Sequence, residues 1–215
     1  PGNQNFLTPE FWQPMVETVH GTIVECNTAY PGERNTTDAH RRTMIKHGWS
    51  KLFDVDILDA EGPDLELPIP NGKRIQKNLV GKDIKNYDSM LVLSHFKGHP
   101  MGGFGGALKQ LSIGCASSAG KANIHGAGKP EEMWTTEQNA FLESMADAAE
   151  SVVKLFDGKI VYINVMKNMS VDCDCCAVAE DPCMKDIGIL ASLDPIAIDQ
   201  ACLDLVYASD DPGRD

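Results

Sequence analysis

Hydrophobic and polar residues follow the helical and the strand period in turn along the chain. The apolar positions of Pro9 to His20 repeat with a helical period, and Thr22 to Cys26 is a short apolar run typical of a buried strand. A second helix, with capping residues at 36–38, is expected to end near Gly48. Further strands are predicted at 55–58, 89–94, 159–165 and 187–191, and further helices at 136–156 and from Asp194-Pro195 onward.

The order of these elements predicts the fold class. Strands that alternate with helices indicate an α/β fold, here a Rossmann-like, mainly parallel sheet with helices on both faces. With 215 residues the chain can fill one core, so we expect a single α/β domain over 1–215. The beginning and the end of the sequence both look abrupt, and we expect a piece of a longer protein, truncated at both ends.

Charge and cysteine content narrow the classes of partner. The net charge is −12, from 19 basic and 31 acidic residues, which argues against nucleic acid and against an anionic membrane surface. No apolar run approaches the roughly 20 residues that span a bilayer. Seven cysteines, an odd number, are unlike a secreted disulfide framework and favour reduced thiols in a cytoplasmic protein.

The candidate chemistry concentrates in Ser94 to Gly126, which we call the glycine-rich segment. It follows a predicted buried strand and should therefore lie at the carboxyl edge of the sheet, where open α/β folds bind ligands. Its eight glycines allow close approach of a ligand, and its three histidines and three lysines can bind anions or metals and move protons. The candidate catalytic residues are His95, Lys97 and His99; the candidate cofactor-binding residues are Gly105, Gly106, Lys109 and Lys121; and the candidate metal ligand is His125.

Two standard phosphate-binding motifs are absent from this segment. Between Gly114 and Gly120-Lys121 there are five residues where a P-loop has four, and Leu108 stands where a dinucleotide fingerprint has its third glycine. Lys109 is expected near the start of a short helix, where the helix dipole disfavours a cation. An anionic ligand or substrate group near Lys109 would offset that cost.

The sequence resembles a known family in two stretches. These are SHFKGHPMGGFGGALKQLSIGCASSAGKANIHG, over 94–126, and DIGILASLDPIAIDQACLDLV, over 186–206. Both resemble the uncharacterised iron–sulfur-centre protein family, domain of unknown function 362. Members often carry an inserted ferredoxin module after the glycine-rich segment, and this chain lacks it.

The glycine-rich segment also resembles, more distantly, the amino-terminal domain of nickel-pincer lactate racemases. His99 precedes Lys109 by ten residues and His125 follows Lys109 by sixteen, as in that family's motif. The resemblance implies that Lys109 tethers a nickel-pincer cofactor, that His125 binds nickel, and that His99 is a catalytic acid or base.

A second constellation is the cysteine cluster of Cys173, Cys175, Cys176 and Cys183. Cys173 and Cys176 form a C-x-x-C, so the cluster is a candidate site for a metal ion or an iron–sulfur cluster. A second C-x-x-C is missing, and Cys175 and Cys176 would point to opposite faces of an extended strand. Reduced thiols with one reactive C-x-x-C remain an equal alternative.

Two hypotheses about function follow. The first is a metal- or metal-cofactor-dependent enzyme that acts on a small anionic substrate through the glycine-rich segment, with racemase-like proton transfer as its most specific form. The second is a metal-binding or iron–sulfur electron-transfer module, centred on the cysteine cluster, with an electron-transfer partner. Asp194 is interpreted as a helix cap and Asp199 as a solvent-facing residue of the same helix.

Overall fold

A computed structural model describes residues 5–176 and 178–214. Its helices are α1 (Pro9–Val19), α2 (Thr37–Lys46), α3 (Trp49–Leu52), α4 (Ala107–Lys109), α5 (Ser118–His125), α6 (Gln138–Phe156) and α7 (Pro195–Ala208). Its strands are β1 (Ile23–Glu25), β2 (Val55–Ile57), β3 (Leu65–Pro68), β4 (Lys77–Val80), β5 (Met90–His95), β6 (Lys97–His99), β7 (Gly103–Gly105), β8 (Ile160–Met166) and β9 (Gly188–Ser192). The long helices and apolar strands of the sequence pattern are all present, within a few residues at their ends.

The chain divides into two compact units. Unit 1 comprises 5–6, 88–112 and 153–214, and unit 2 comprises 7–87 and 113–152. The glycine-rich segment is shared between them, since its first part belongs to unit 1 and its last part to unit 2. The expectation of a single domain stays a prediction.

Unit 1 is built on a three-stranded sheet with β8 at its centre. β8 runs parallel to β5, with Met90 opposite Ile160, and antiparallel to β9, with Val165 opposite Ile189. Helix α7 packs against β8 and β9, on the face that carries Asn164. The α/β class is thus confirmed, but the sheet is mixed rather than mainly parallel, because the chain returns into β9 from a loop at the same edge of the sheet.

A small hairpin follows β5 directly. β6 pairs with β7 in antiparallel register, with Lys97 opposite Gly105 and His99 opposite Gly103. Gly103 has a φ of +76°, a backbone conformation that side-chain-bearing residues rarely adopt. The sequence pattern predicts no strands here, because glycines and charged residues hide the period of two.

Unit 2 contains a parallel pair, β1 and β2, and an antiparallel pair, β3 and β4. The amphipathic period of α1 buries Trp12 and Val16, as its pattern predicts. In the described residues of both units, no helix is long and apolar enough to cross a membrane.

Candidate functional site

The β6–β7 hairpin and the segment 171–176, which we call the cysteine loop, lie against each other in unit 1. The backbone N–H of Gly98 donates to the carbonyl of Ser170 at 2.7 Å. A Cβ at Gly98 would overlap the backbone of Val171. Glycine at this position therefore lets the hairpin approach the cysteine loop, and the two candidate constellations of the sequence meet.

Asp174 of the cysteine loop binds two residues of the glycine-rich segment. Its carboxylate lies 2.9 Å from Nδ1 of His95 and 2.9 Å from Nζ of Lys97, and all three side chains are largely buried. Burial alone would raise the pKa of Asp174, but the hydrogen bond with His95 and the charge of Lys97 hold it well below its usual range. Asp174 is therefore a carboxylate that orients Lys97.

His95 has acceptors at both ring nitrogens. While Nδ1 faces the carboxylate of Asp174, Nε2 lies 2.6 Å from the carbonyl oxygen of Lys167. Only an imidazolium donates from both nitrogens at once. In this arrangement His95 is a buried structural partner of Asp174, and neither nitrogen is turned to a ligand.

His99 is held by its own hairpin in one tautomer. Its Nδ1 accepts hydrogen bonds from the backbone N–H groups of Met101, at 3.2 Å, and Gly102, at 2.9 Å. The neutral ring must therefore carry its proton on Nε2. The side chain of His99 also helps to lower the pKa of the Cys173 thiol.

Cys173 is the buried sulfur of the cluster, and Cys175 is exposed beside it. Their Sγ atoms are 3.0 Å apart. The hydrogen bond from Cys175 holds the pKa of Cys173 well below its ordinary value; burial opposes this, and His99, Lys109 and Lys97 reinforce it. Burial and the charge of Cys173 raise the pKa of Cys176.

The stems of Lys97 and Lys109 converge over Gly105. A Cβ built on Gly105 would lie 3.4 Å from Cε of Lys97 and 3.6 Å from Cδ of Lys109. In the described part of the chain Lys97 is paired with Asp174, whereas no carboxylate lies within ion-pair distance of Lys109. Lys109 is a half-buried cation whose charge helps to lower the pKa of the Cys173 thiol.

Asp199 of α7 fixes the turn that carries Lys109. Its carboxylate accepts from the backbone N–H of Ala107, at 2.7 Å, from that of Leu108, at 2.9 Å, and from the amide of Asn164, at 2.7 Å. A Cβ at Gly106 would overlap this carboxylate. The solvent-facing interpretation of Asp199 is therefore wrong, and the anion that balances the start of α4 is a side chain of the protein itself.

Lys121 and His125 lie in unit 2, on α5. Nζ of Lys121 is buried and donates to the carbonyl of Ala116 at 2.6 Å, so this lysine serves the interior of its own unit. Nδ1 of His125 lies 2.7 Å from the carbonyl of Lys121, and the ring stacks on Phe141. Because a carbonyl only accepts, a neutral His125 has its lone pair on Nε2, the arrangement of many metal-binding histidines.

The cysteine cluster of the sequence does not gather around one point. Cys183 lies 3.5 Å from the carbonyl of Gly213, on a different stretch of chain from the Cys173–Cys175 pair. Among the residues with described positions, no three histidine, cysteine or acidic side chains are arranged to hold a metal ion. The donor set of unit 1 therefore fits an iron–sulfur cluster poorly, since such a cluster needs four ligands.

Two residues of this site are missing from the candidates that the sequence suggests. Asp174 stands between two cysteines in the sequence, and that pattern suggests a metal site rather than a carboxylate that pairs with a lysine. Asp199 is 92 residues from Ala107, and only the fold brings them together. Gly98 and Gly106 are the sequence signal that points to these contacts, because a glycine allows another part of the chain to approach its backbone closely.

Comparisons with known proteins identify a solved structure with a similar fold and, separately, a sequence family. No curated protein matches the sequence. The solved structure of the lactate racemase apoprotein from Thermoanaerobacterium thermosaccharolyticum matches with a TM-score of 0.51 at 16% sequence identity. The match covers 86% of this chain and 40% of that chain, so this chain spans less than half of the racemase; at such an identity the match shows a shared fold.

A family model described as "Domain of unknown function (DUF362)" matches residues 1–204. This range contains the glycine-rich segment, the cysteine loop and most of α7. The resemblance seen in the two sequence stretches is thereby confirmed, and the chain belongs to the family of the domain of unknown function DUF362.

Proposed function

We propose that unit 1 binds a small carboxylate and carries out racemase-like proton transfer next to it. The observation that carries this proposal is the position of Lys109. Its side-chain stem lies beside that of Lys97 at Gly105 and, among the described residues, the lysine has no carboxylate partner. A half-buried cation that is not paired with a carboxylate favours a carboxylate ligand at that place.

The surrounding groups give the anion a defined position. Asp174 holds the ammonium group of Lys97 in place, and the stems of Lys97 and Lys109 lie side by side at Gly105. Asp199 fixes the turn before Lys109. Cations that are oriented before the ligand arrives stabilise charge at little cost in reorganisation.

His99 is the proton-transferring group of the proposal. With Nδ1 occupied by two backbone donors, the proton of His99 is on Nε2, and the first step open to it is donation. Racemisation replaces one proton on the carbon beside the carboxylate by another on the opposite face. In the proposal a basic group on the opposite face of the substrate carbon takes up the proton that leaves, His99 delivers the new proton through Nε2, and the two groups exchange these roles in the reverse direction, while Lys109 stabilises the negative charge that develops on the carboxylate.

In this proposal Lys109 is the residue that would hold a metal-bearing cofactor. The lysine supplies the amine that a covalent or ionic tether of an anionic cofactor needs, and it lies next to Gly105, which carries no side chain of its own. When bound, a nickel-pincer-type group would supply an electrophilic centre close to the substrate carbon. His125 stays a predicted metal ligand, since the carbonyl of Lys121 occupies only its Nδ1. The electron-transfer function of the cysteine cluster also stays a prediction, and among the described residues the donor geometry does not support it.

Calorimetric titration with lactate tests the binding step. We expect saturable binding by the unmodified chain and a loss of at least about tenfold in affinity, or about 1.4 kcal/mol, for Lys109→Met. Lys185→Met removes an exposed lysine of the same unit and should leave the affinity unchanged. Equal affinities of the two variants, or no binding to the unmodified chain, would overturn the proposal.

A further inference from the structure

The cysteine loop holds two sulfur atoms in contact with each other, and the proposed carboxylate binding assigns no role to this pair. Sγ of Cys173 and Sγ of Cys175 are 3.0 Å apart, and the backbone N–H of Cys175 also points to Sγ of Cys173 at 3.5 Å. A disulfide bond is about 2.05 Å long. A shift of about 1 Å would therefore join the two sulfurs.

The shape of the loop explains the pairing. The N–H of Cys176 donates to the carbonyl of Cys173 at 2.9 Å and closes a tight turn, within which the side chain of Cys175 folds back onto Cys173. The sulfur that contacts Cys173 in this turn is that of Cys175, whereas the C-x-x-C spacing of the sequence draws attention to Cys176.

The two sulfurs differ in access and in surroundings. Cys175 is exposed, so a molecule from solvent can reach it, whereas Cys173 is 5% exposed and lies among His99, Lys97 and Lys109. A hydrogen-bond donor and two ammonium groups stabilise negative charge on Cys173. One sulfur is thus placed to react with an external molecule and the other to attack the product.

We propose that Cys173 and Cys175 are a reversible dithiol–disulfide pair that exchanges with low-molecular-weight disulfides. The thiolate of Cys175 attacks a small disulfide R–S–S–R, forms a mixed disulfide and releases one R–S⁻. The thiolate of Cys173 then attacks Sγ of Cys175, forms the Cys173–Cys175 bond and releases the second R–S⁻. Two protein thiols are oxidised, one small disulfide is reduced to two thiols, and the two protons pass to solvent or to the released thiolates.

The exchange goes beyond the proposed carboxylate binding, because it needs no bound anion. It does act on the same cluster. In the disulfide, Cys173 no longer offers His99 a charged acceptor, and the neighbouring Lys97 and Lys109 lose a negative partner. The oxidation state of the pair is thereby expected to alter the charge that surrounds His99.

Oxidised glutathione is a suitable probe. The protein is incubated with an excess of it, quenched in acid, alkylated and weighed intact. We expect the unmodified chain to lose two alkylatable thiols and to retain no glutathione. Cys173→Ser should stop at one bound glutathione, because the resolving sulfur is missing, and Cys175→Ser should form no internal disulfide.

Two further variants act as matched controls. Cys176→Ser and Cys183→Ser remove neighbouring sulfurs and should behave like the unmodified chain. An internal disulfide in Cys175→Ser or in Cys173→Ser, or none in the unmodified chain, would overturn the proposal. Should a variant fail to fold, peptide mapping of the unmodified chain after differential alkylation decides between Cys173–Cys175 and any other pair.

Discussion

The charge and burial of single residues around Asp174 depend on contacts that a sequence does not show. Asp174 shares its carboxylate between His95 and Lys97, and all three are largely buried. The ion pair of Lys167 and Asp186 has a similar distance but lies in solvent. Burial rather than distance should therefore decide what each carboxylate contributes to stability.

The first prediction compares these two carboxylates. Asp174→Ala leaves Lys97 buried without its counter-ion and should lower the free energy of unfolding by about 3 kcal/mol. Asp186→Ala removes an exposed partner and should cost no more than about 1 kcal/mol. Urea denaturation followed by circular dichroism measures both, and equal losses would show that the Asp174 cluster is not buried as described.

The second prediction concerns pH and His40 of unit 2. Burial, helped by the charges of Arg34 and Lys121, lowers the pKa of His40 from 6.5 to about 4. The folded state therefore disfavours the proton that the unfolded chain accepts below 6.5. Stability that is fully present above that pH is lost as the pH falls towards 4, by up to about 3 kcal/mol, since one pKa unit is about 1.4 kcal/mol.

His40→Gln keeps a polar partner for Asn27 but cannot titrate. Denaturation midpoints recorded across that pH interval should fall less steeply in this variant than in the unmodified chain. His20→Gln, at an exposed position, should leave the slope as it is. If His40→Gln has the same slope as His20→Gln, His40 is not the group that titrates.

Among the secondary-structure elements, α4 depends on a residue far away in the chain. Asp199 satisfies two backbone donors at the start of α4 and the amide of Asn164. Asp194 caps α7 in an exposed position, with its carboxylate 2.8 Å from the N–H of Ile196. Both are carboxylates at helix starts, but only one of them is buried.

The third prediction follows from that difference. Asp199→Ala leaves three buried donors without an acceptor and should lower the free energy of unfolding by about 3 kcal/mol or more. Asp194→Ala removes an exposed cap and should cost about 1 kcal/mol. Thermal and urea unfolding of both variants provide the measurement; a loss for Asp199→Ala as small as that for Asp194→Ala would contradict the account of α4.

The fourth prediction tests the contact between hairpin and cysteine loop. A methyl group at Gly98 would overlap Val171, so Gly98→Ala should destabilise the chain by about 1 to 3 kcal/mol, as overpacking does. At Gly32 an added Cβ meets no described atom within 4 Å, and Gly32→Ala should change stability by less than about 0.5 kcal/mol. Indistinguishable denaturation curves for the two variants would show that the hairpin and the cysteine loop are not in contact at Gly98.

The local pattern of the chain is sufficient to predict the long elements. α1, α6, β5 and β8 each carry their period over enough residues to be recognised, and the cap of α7 is visible as Asp194-Pro195. The β6–β7 hairpin is not predictable in this way, because strands of three residues that contain a single apolar side chain, Phe104, are too short to show a period. β9 is antiparallel to β8 because the loop between them begins and ends at the same edge of the sheet. Hydrophobic periodicity carries no information about the path of a loop.

For the molecule as a whole, local charge differs from net charge. The chain carries −12, yet Lys97, Lys109 and His95 come together around Asp174 and Cys173 in unit 1. A sequence shows that these residues exist and that most of them are close along the chain. It does not show that Lys121 and His125 fold into the other unit, because that depends on where the chain leaves one core for another.

The most direct test of the proposed site is the NMR signal of the His99 ring during titration with lactate. In the proposed function the carboxylate held by Lys109 reacts next to this ring, so we predict a saturable shift of the His99 Cε1–H resonance that is absent in Lys109→Met. The exposed ring of His20 serves as the internal control and should not move. A His99 signal that stays fixed, or that moves only in step with His20, would contradict carboxylate binding at this cluster.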